Sequence, residues 1–360
     1  MSIACDGVAS DMRWPARLIV AAVLAIGAAC DSSPSGPGGS GTGTPQLDQA
    51  FALAGQEPNL RSLVVARDGT IVREAFFNGG GPDTTEYVWS VTKSVLALAV
   101  GIALDRGCLQ SLDQTLGELL GPALVTEPEK RVITLRHLLT MSSGIDFPEM
   151  AYYTSGPSLY QAWVTAPDQT AWVLARPLTA TPGTRFEYGS GTIHLASVAL
   201  SRACSMRADE LADSHLFAPI GIAPRRWETD RQGHSNGGAG LYLTLRDMQA
   251  LGQLVLNRGF HQQRQVVSTA YIAAMTSAQI ATGSGMATPS YGYAWWVGQT
   301  DDGAAFALAN GWGGQFILVV PAKRLVVTTA ALTEGLGGSA TIAQWQRIFG
   351  ILMQYVVRAF

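Results

Sequence analysis

The stretch that most constrains the fold is the apolar segment from Val91 to Asp105 (VTKSVLALAVGIALD). It is apolar nearly all round, which is typical of a helix buried at the centre of a domain. Ser90 stands at the start of this predicted helix and Lys93 follows three residues later, so their Cβ atoms should lie about 5–6 Å apart on one face. Burial of the lysine favours its neutral amine. The pattern therefore predicts a nucleophile and a base side by side.

Lysine is rare in this chain, and that sharpens the prediction. Of 24 basic residues only three are lysine, at positions 93, 130 and 323. Arginine does not give up its proton at working pH, so a lysine kept inside an apolar helix indicates a need for deprotonation. The alternative interpretation is that Lys93 extends its ammonium from a helix end to water. Ser90 would also gain from the helix dipole and unpaired N–H groups, which stabilise an alkoxide or oxyanion.

Length and composition describe an ordinary globular protein. A chain of 360 residues fits one large domain or two closely associated ones. With 47% hydrophobic and 14% charged residues it can bury a large core beneath a lightly charged surface. The net charge of −3 gives no electrostatic basis for binding nucleic acid, which needs a basic face. The five histidines show no metal-ligand spacing, so we expect neither a metal nor another cofactor.

The N-terminus has the layout of an exported protein. Residues 1–11 are interpreted as an upstream extension, residues 12–29 as a signal peptide, and residues 30–46 as a Ser/Gly/Pro-rich tether. Cys30 follows Gly-Ala-Ala, which resembles a bacterial lipoprotein box, and simple cleavage by signal peptidase is the alternative. A lipid on Cys30 would be the only membrane contact. The predicted location is the periplasm or cell envelope.

Export changes the interpretation of the cysteines. Once Cys5 and Cys30 are set aside, Cys108 and Cys204 form an even pair in an oxidising compartment. Each follows a predicted helix end, so we predict a disulfide between them. The alternative is two unrelated small buried residues.

The order of predicted elements indicates an α+β fold. Residues 60–77 are typical of a β-hairpin about Asp68-Gly69, and further strands are predicted near the chain end. Strands at both ends with helices between predict an antiparallel β-sheet flanked by terminal helices, with a mostly helical second lobe. We expect one domain in two lobes, whose bounds are residues 47–360, with a sheet lobe at 47–90 and 240–360 and a helical lobe at 91–239. The cleft between the lobes is the expected place for a site.

A serine with a lysine base still needs a second proton-transfer group and an oxyanion hole. Tyr188 and Ser190 precede a predicted helix, which places a phenol and a hydroxyl at a helix start. The stretch NGWGGQ precedes a strand, and its glycines allow close backbone approach to a ligand. We expect the N–H of Gly313 or Gly314 to pair with that of Ser90 around an oxyanion.

Three motifs, in this order, resemble those of the serine β-lactamase and penicillin-binding superfamily: Ser90-x-x-Lys93, Tyr188-x-Ser190 and Gly311-Trp312-Gly313. The similarity is greatest to its class C-like branch, which includes D-alanyl-D-alanine carboxypeptidases, esterases and 6-aminohexanoate-dimer hydrolases. The resemblance implies that Ser90 is acylated, that Lys93 and Tyr188 share its proton, and that Tyr188 is the base in deacylation. A phenol has a pKa near 10 in water, so this role requires nearby cations, above all Lys93, to lower the pKa of Tyr188.

Two departures from the family pattern bear on the substrate. Ser190 stands where class C enzymes have asparagine, and Gly311 where they have lysine and where esterases often have histidine. In that family the cation helps bind the carboxylate of penicillins and D-alanyl peptides, so its absence argues for a small ester or amide without that anchor. Ser190, Gly311, Trp312 and Trp89 are the expected substrate-binding residues. Other aromatic residues could line an apolar cleft, although most of them singly suit a core: Tyr87, Tyr152, Tyr153, Trp163, Trp295 and Trp296.

Three other interpretations stay open. One is a β-lactamase or D-alanyl-D-alanine carboxypeptidase. A second is a catalytically inactive binding or sensor domain, against which the intact Ser90, Lys93 and Tyr188 argue. The third rests on the sequence GHSNG around Ser235, which matches the nucleophile elbow of α/β-hydrolases. That motif needs a buried strand before it and a helix after it, whereas here polar residues precede it and a glycine loop follows.

Overall fold

A computed structural model describes residues 44–152, 158–283 and 286–360, without the side chains of residues 151 and 152. The predicted signal peptide and Cys30 lie outside the described residues. Within the described ranges, no helix combines the length and apolarity needed to cross a membrane. The fold is α+β, as predicted, with one large antiparallel sheet and helices around it.

The strands are, in chain order, β1 (Leu60–Arg67), β2 (Thr70–Phe76), β3 (Thr85–Tyr87), β4 (Tyr242–Thr244), β5 (Phe260–His261), β6 (Arg264–Gln265), β7 (Ile280–Ala281), β8 (Ser290–Tyr291), β9 (Trp296–Gln299), β10 (Ala305–Gly311), β11 (Gln315–Val320) and β12 (Leu325–Ala331). The helices are α1 (Pro45–Ala54), α2 (Val91–Asp105), α3 (Leu116–Leu120), α4 (Pro128–Arg131), α5 (Leu135–Leu139), α6 (Leu159–Val164), α7 (Gln169–Leu174), α8 (Ser190–Cys204), α9 (Ala208–Ala212), α10 (Leu245–Leu256), α11 (Thr269–Met275) and α12 (Gly338–Ile351). Short 3₁₀ or π turns occupy Glu149–Tyr152, Asp213–Phe217, Ala218–Ile220, Pro321–Lys323, Leu352–Val356 and Val357–Ala359.

The main sheet joins the two ends of the chain. Its eight strands follow the order β2-β1-β12-β11-β10-β9-β8-β7, so N-terminal β1 lies beside C-terminal β12. The predicted hairpin of β1 and β2 is confirmed. Its turn residues Asp68 and Gly69 have φ of 53° and 80°, and positive φ at both central positions matches the right-handed twist of the strands.

The sheet is covered by helices on both faces. Phe316 of β11 packs on Trp345 and Phe349 of α12, with ring centroids 5.7 and 5.8 Å apart. The next residue, Ile317, points to the opposite face, because successive side chains of a strand alternate. There it meets α10 at Gly252, where an added Cβ would lie 2.8 Å from its side chain. The C-terminal helix and α10 therefore enclose the sheet between them.

Helices α2 and α8 form the inner framework of the helical part. Every residue of α2 from Val91 to Ala103 is buried, as the apolar sequence predicts. A disulfide joins Cys108, just past α2, to Cys204, the last residue of α8, with 5.1 Å between their Cα atoms. This Cα separation lies within the range that a disulfide allows. The C-terminal ends of the two helices are thus covalently tied.

Candidate active site

Ser90 lies at the N-terminal end of α2, on a segment that β3 and β4 hold in place. The Val88 N–H donates to the Leu241 carbonyl at 3.0 Å, and the Leu241 N–H donates to Thr92 Oγ1 at 3.2 Å. Hydrogen bonds therefore flank Ser90 on both sides. Its own N–H belongs to the first turn of α2, where backbone amides have no partner within the helix.

Trp89 precedes Ser90 in the left-handed region, with φ of 48°. This conformation is unusual for a bulky residue and persists only where surrounding contacts fix it. The indole N–H donates to Thr333 Oγ1 at 3.2 Å, beyond the end of β12. Gly311 also lies close by, since a Cβ on it would come 2.5 Å from the Val88 carbonyl oxygen. Gly311 thus serves a close approach of β10, and no cationic side chain could replace it without moving that backbone.

Lys93 is 1% exposed, and its ammonium nitrogen makes three polar contacts. Nζ lies 2.7 Å from Ser90 Oγ, 2.9 Å from Ser190 Oγ and 2.6 Å from the Gly238 carbonyl oxygen. Burial lowers the pKa of Lys93 to about 8, although the negative charge of Glu149 acts in the opposite direction. The lysine does not extend to water, so the alternative interpretation of a helix-end cation is wrong.

Tyr188 completes the group around the serine. Its side chain interacts with Ser90, and the Lys93 Nζ lies 4.9 Å from its ring centroid. The ring is buried and stacks on Trp296, with centroids 5.6 Å apart. Burial and the negative charge of Glu149 raise the pKa of Tyr188, and the interaction with Ser90 only partly opposes this. The expectation that Lys93 lowers the pKa of Tyr188 is therefore wrong in direction.

Glu149 is the site residue that sequence reasoning missed. It is 4% exposed and accepts two hydrogen bonds from Ser190, from the backbone N–H at 2.6 Å and from Oγ at 3.0 Å. Its segment is fixed by Phe147, whose N–H donates to Glu187 Oε1 at 2.7 Å. In the sequence, Glu149 is a single acidic residue after a proline and belongs to no motif. Its burial is the feature that identifies it as a site residue. Within the described residues, no group of three or more His, Cys, Asp or Glu side chains could hold a metal ion.

The carbonyl of Gly238 is held by its own loop. Asn236 Oδ1 accepts the Gly238 N–H at 2.9 Å, and the Gly237 N–H donates to His194 Nδ1 at 3.2 Å. His194 Nε2 lies 3.1 Å from Asp230 Oδ2 in the buried interior. Because Nδ1 accepts, Nε2 must carry the proton and donate to the carboxylate. The imidazole therefore links this loop to a buried acidic group.

The glycine-rich stretch forms the tight turn between β10 and β11. The Gly314 N–H donates to the Gly311 carbonyl at 3.4 Å inside this turn, so its amide is engaged and the oxyanion role expected of Gly314 is not supported. The Gly313 carbonyl accepts from Gln344 Nε2 at 2.9 Å, which fixes the peptide that follows it. Trp312 is half-buried at the tip of the turn. Of the two glycines, Gly313 is the better candidate for the second oxyanion donor.

The aromatic residues fall into two groups. Trp163, Trp295 and Trp296 are buried and belong to the core, which is the interpretation that the sequence favoured for most of these residues taken singly. Tyr87 and Trp89 are half-buried and contact edge to face, with centroids 4.7 Å apart. Tyr160, which the sequence did not single out, extends this wall through a contact between its hydroxyl and that of Tyr87 at 3.4 Å. Two residues expected in the cleft lie outside what the structure describes: Tyr153 and the side chain of Tyr152.

Ser235 does not form a second nucleophile site. It is fully buried, donates from Oγ to Asp209 Oδ1 at 2.8 Å, and accepts the Asp209 N–H at 3.0 Å. It is followed by the loop that carries Gly238 and not by a helix. A hydroxyl enclosed in this way connects two parts of the backbone, and the GHSNG match is structural.

A half-buried serine at the start of a central helix, a buried lysine three residues later and a tyrosine beside an antiparallel sheet form the arrangement of a β-lactamase-type serine hydrolase. Comparison with known proteins agrees: a family model described as Beta-lactamase matches residues 57–348. The chain therefore belongs to the Beta-lactamase family, within the serine β-lactamase and penicillin-binding superfamily, and it is a hydrolase.

Three relatives illustrate the range of that family. The 6-aminohexanoate-dimer hydrolase of Paenarthrobacter ureafaciens is 22% identical over 270 residues, which cover 71% of this chain and 67% of that protein. The structure of a putative 6-aminohexanoate-dimer hydrolase from Bacillus anthracis superposes with a TM-score of 0.69 at 19% identity, covering 84% of this chain and 81% of that one. A family VIII carboxylesterase superposes with a TM-score of 0.63 at 16% identity, covering 87% and 99%. At these identities the solved structures establish the fold alone.

Proposed function

We propose that this protein cleaves an ester or amide through an acyl-enzyme on Ser90, with Lys93 as the base. The observation that carries the proposal is the 2.7 Å contact of buried Lys93, through Nζ, with the Oγ of half-buried Ser90. A general base must lie within hydrogen-bond reach of the proton it removes and have a pKa near the working pH. Lys93 meets both conditions, since its pKa is lowered to about 8.

The reaction follows from the contacts. Ser90 Oγ attacks the carbonyl carbon while its proton moves to Lys93, and the N–H groups of Ser90 and Gly313 face the oxyanion that forms. The Tyr188 hydroxyl, kept neutral by burial, gives its proton to the leaving alcohol or amine and regains one from Lys93. Water then attacks the acyl-enzyme and gives its proton to Lys93, which passes it to Ser90 Oγ as the bond to the acyl carbon breaks and the acid leaves.

The substrate we propose is a small ester or amide with an apolar acyl group. Half-buried Tyr87, Trp89 and Tyr160 offer an aromatic wall beside Ser90. By the motif resemblance, Gly311 takes the place of the family's carboxylate-binding cation, and it packs on the backbone. The relatives named as amide and ester hydrolases support this class. A β-lactamase or D-alanyl-D-alanine carboxypeptidase is the second candidate.

The test pairs two serines of the chain. A fluorophosphonate probe should label the wild type and the Ser235→Ala variant, whereas Ser90→Ala should take no label. Turnover of p-nitrophenyl esters and aminohexanoate oligomers should exceed that of nitrocefin and D-alanyl-D-alanine peptides. Labelling that survives in Ser90→Ala would refute the assignment of the nucleophile. An unlabelled wild type would favour the inactive binding domain, and fast nitrocefin turnover would favour a β-lactamase.

We also propose export with cleavage before Cys30 and its lipidation. The disulfide of Cys108 and Cys204 supports an oxidising compartment, and the composition of residues 12–46 supports a signal and tether. Mass spectrometry of the protein from the producing cell tests this. A mature N-terminus at Cys30 with added acyl mass is expected, and an unprocessed chain would contradict it.

A further inference from the structure

The protonation state of Lys93 determines which of its neighbours must donate a hydrogen bond to it and which must accept one. Its three neighbours are Ser90 Oγ, Ser190 Oγ and the Gly238 carbonyl oxygen. A protonated amine has three hydrogens and can donate to all three. A neutral amine has two hydrogens and one lone pair, so one of the three neighbours must then donate to it. Catalysis through Lys93 depends on which neighbour that is.

Two of the three neighbours cannot donate. The Gly238 carbonyl is an acceptor only. Ser190 has a single hydroxyl hydrogen, and Oγ uses it to bond Glu149 Oε1 at 3.0 Å, because a carboxylate can only accept. The remaining neighbour is Ser90. Once Lys93 loses its proton, its lone pair must therefore face the Ser90 hydroxyl.

We propose that Glu149 is a positioning residue that sets the direction of this network, so that neutral Lys93 directs its lone pair at Ser90 and at no other group. This inference rests on the proposed acyl-enzyme function and assigns a role to a residue outside the Ser-Lys-Tyr set. Glu149 contacts neither Ser90 nor Lys93 in the hydrogen bonds described, and it acts through Ser190. Its second bond, from the Ser190 N–H at 2.6 Å, fixes the carboxylate plane at the start of α8.

The negative charge of Glu149 should also affect the pKa of Lys93, and this effect can be measured separately from activity. Two ionisable side chains face Lys93 among the described residues, namely Tyr188 through its ring and Glu149 behind Ser190. Glu149 raises the pKa of Lys93, against the larger lowering by burial. A neutral residue at position 149 should therefore lower the pKa of Lys93 further. A role confined to packing would leave that pKa unchanged.

The decisive variant is Glu149→Gln, which keeps the size of the side chain. The Ser190 N–H can only donate, so the amide oxygen should turn toward it and the NH₂ group should then face Ser190 Oγ. Ser190 would accept from that NH₂ and turn its own hydrogen toward Lys93. The lone pair of Lys93 would then be occupied by the wrong hydroxyl. We expect kcat/KM at the alkaline plateau to fall roughly 10²-fold, within the range of general-base contributions.

Removing the Ser190 hydroxyl shows whether Glu149 acts by setting the direction of these hydrogen bonds or by supporting the fold. Ser190→Ala should lower kcat/KM only about tenfold. In this variant nothing fixes the direction of the Lys93 lone pair, but no competing hydroxyl occupies it. In the double variant Glu149→Gln/Ser190→Ala the misdirected hydrogen is absent, so activity should recover to the level of Ser190→Ala. If Glu149 only supported the fold, the two losses would add. Additive losses, or full activity in Glu149→Gln, would overturn the proposal.

A measurement that needs no turnover distinguishes failure of this inference from failure of the proposed function. The chain contains three lysines, so ¹³C-labelled lysine gives few NMR signals, and Lys93 is assigned by its loss in Lys93→Met. Its pKa should be near 8 in the wild type and lower in Glu149→Gln. An unchanged pKa would overturn the role of Glu149 even if Ser90 is labelled. A wild type that the fluorophosphonate does not label would instead refute the acyl-enzyme itself.

Discussion

Two buried lysines lie in this protein, and only one is suited to act as a base. Lys93 and Lys130 are each 1% exposed and each belongs to a helix. Lys130 forms a direct ion pair with Glu127 and donates to the Leu174 carbonyl at 2.5 Å. Lys93 has two hydroxyls and one carbonyl as hydrogen-bond partners, and the carboxylate whose charge acts on it, that of Glu149, is hydrogen-bonded to Ser190.

The helix ends beside the two ammonium groups also have opposite polarity. Leu174 is the last residue of α7, and the C-terminal end of a helix attracts a cation. Lys93 lies in the first turn of α2 and contacts Ser190, the first residue of α8. Helix N-termini are positive and disfavour an ammonium group. Lys130 thus contacts a carboxylate and a helix C-terminus, whereas Lys93 is surrounded by features that favour the loss of its proton.

This difference corrects an argument from sequence. In the sequence, a rare lysine in an apolar setting indicates a need for deprotonation, and by that criterion buried Lys130 also qualifies. Burial raises the cost of any charge, but a carboxylate in contact offsets it. What identifies a base is therefore the chemistry of the direct partners, which the spacing Ser90-x-x-Lys93 implies and the position of Lys130 does not.

The largest expected effect comes from replacing each lysine by arginine. Lys93→Arg should lower kcat/KM by roughly 10³-fold or more, because a guanidinium cannot accept the Ser90 proton. Lys130→Arg, the matched control, keeps the charge that faces Glu127 and should retain activity within about threefold. Ester hydrolysis by both purified variants, with circular dichroism as a check of folding, measures this. Comparable losses in both would remove the distinction between the two lysines.

The next effect is the pH dependence of kcat/KM. The free enzyme needs neutral Lys93, whose pKa is about 8. Below that pH the neutral fraction falls about tenfold per unit, so kcat/KM should rise with pH up to about 8 and then level off. Lys130→Arg should leave this limb in place. A limb near pH 6 that moves on replacement of a histidine would assign the base elsewhere.

The sequence was sufficient for the framework and for residues that act in motifs. Alternating and all-apolar stretches predicted the β1–β2 hairpin, the buried helix α2 and the antiparallel sheet. These patterns reflect local burial, which a chain encodes at periods of two and near four residues. Spacing alone placed Lys93 next to Ser90, because both lie on one turn of one helix.

Contacts between distant segments were beyond the sequence. Glu149 is 41 positions from Ser190, and nothing in its neighbours indicates that the carboxylate is buried. The raised pKa of Tyr188 could not be foreseen either, since it depends on burial and on that same unseen charge. The turn that engages the Gly314 N–H depends on the register of β10 with β11. Each of these needs the tertiary fold before its chemistry can be stated.

The smallest expected effect is on the free energy of unfolding, which should change in opposite directions when each of the two lysines is replaced by methionine. Lowering the pKa of Lys93 from 10.5 to about 8 means that its ammonium costs the folded state about 3 kcal/mol at pH 7. Lys93→Met removes that cost but leaves the Gly238 carbonyl unpaired, so the free energy of unfolding should rise by about 1–2 kcal/mol. Lys130→Met removes a favourable pair and should lower it by about 1–3 kcal/mol.

Urea denaturation at pH 7 and pH 10 tests the sign for each lysine. Between pH 8 and 10.5 the unfolded chain binds more protons at Lys93 than the folded one does, so wild-type stability gains from this group as pH rises. The advantage of Lys93→Met should therefore shrink toward pH 10. A Lys93→Met variant less stable than the wild type at pH 7 would mean that the fold favours the ammonium. Lys93 would then resemble Lys130. The catalytic base that lowers stability would have to be another group of the site.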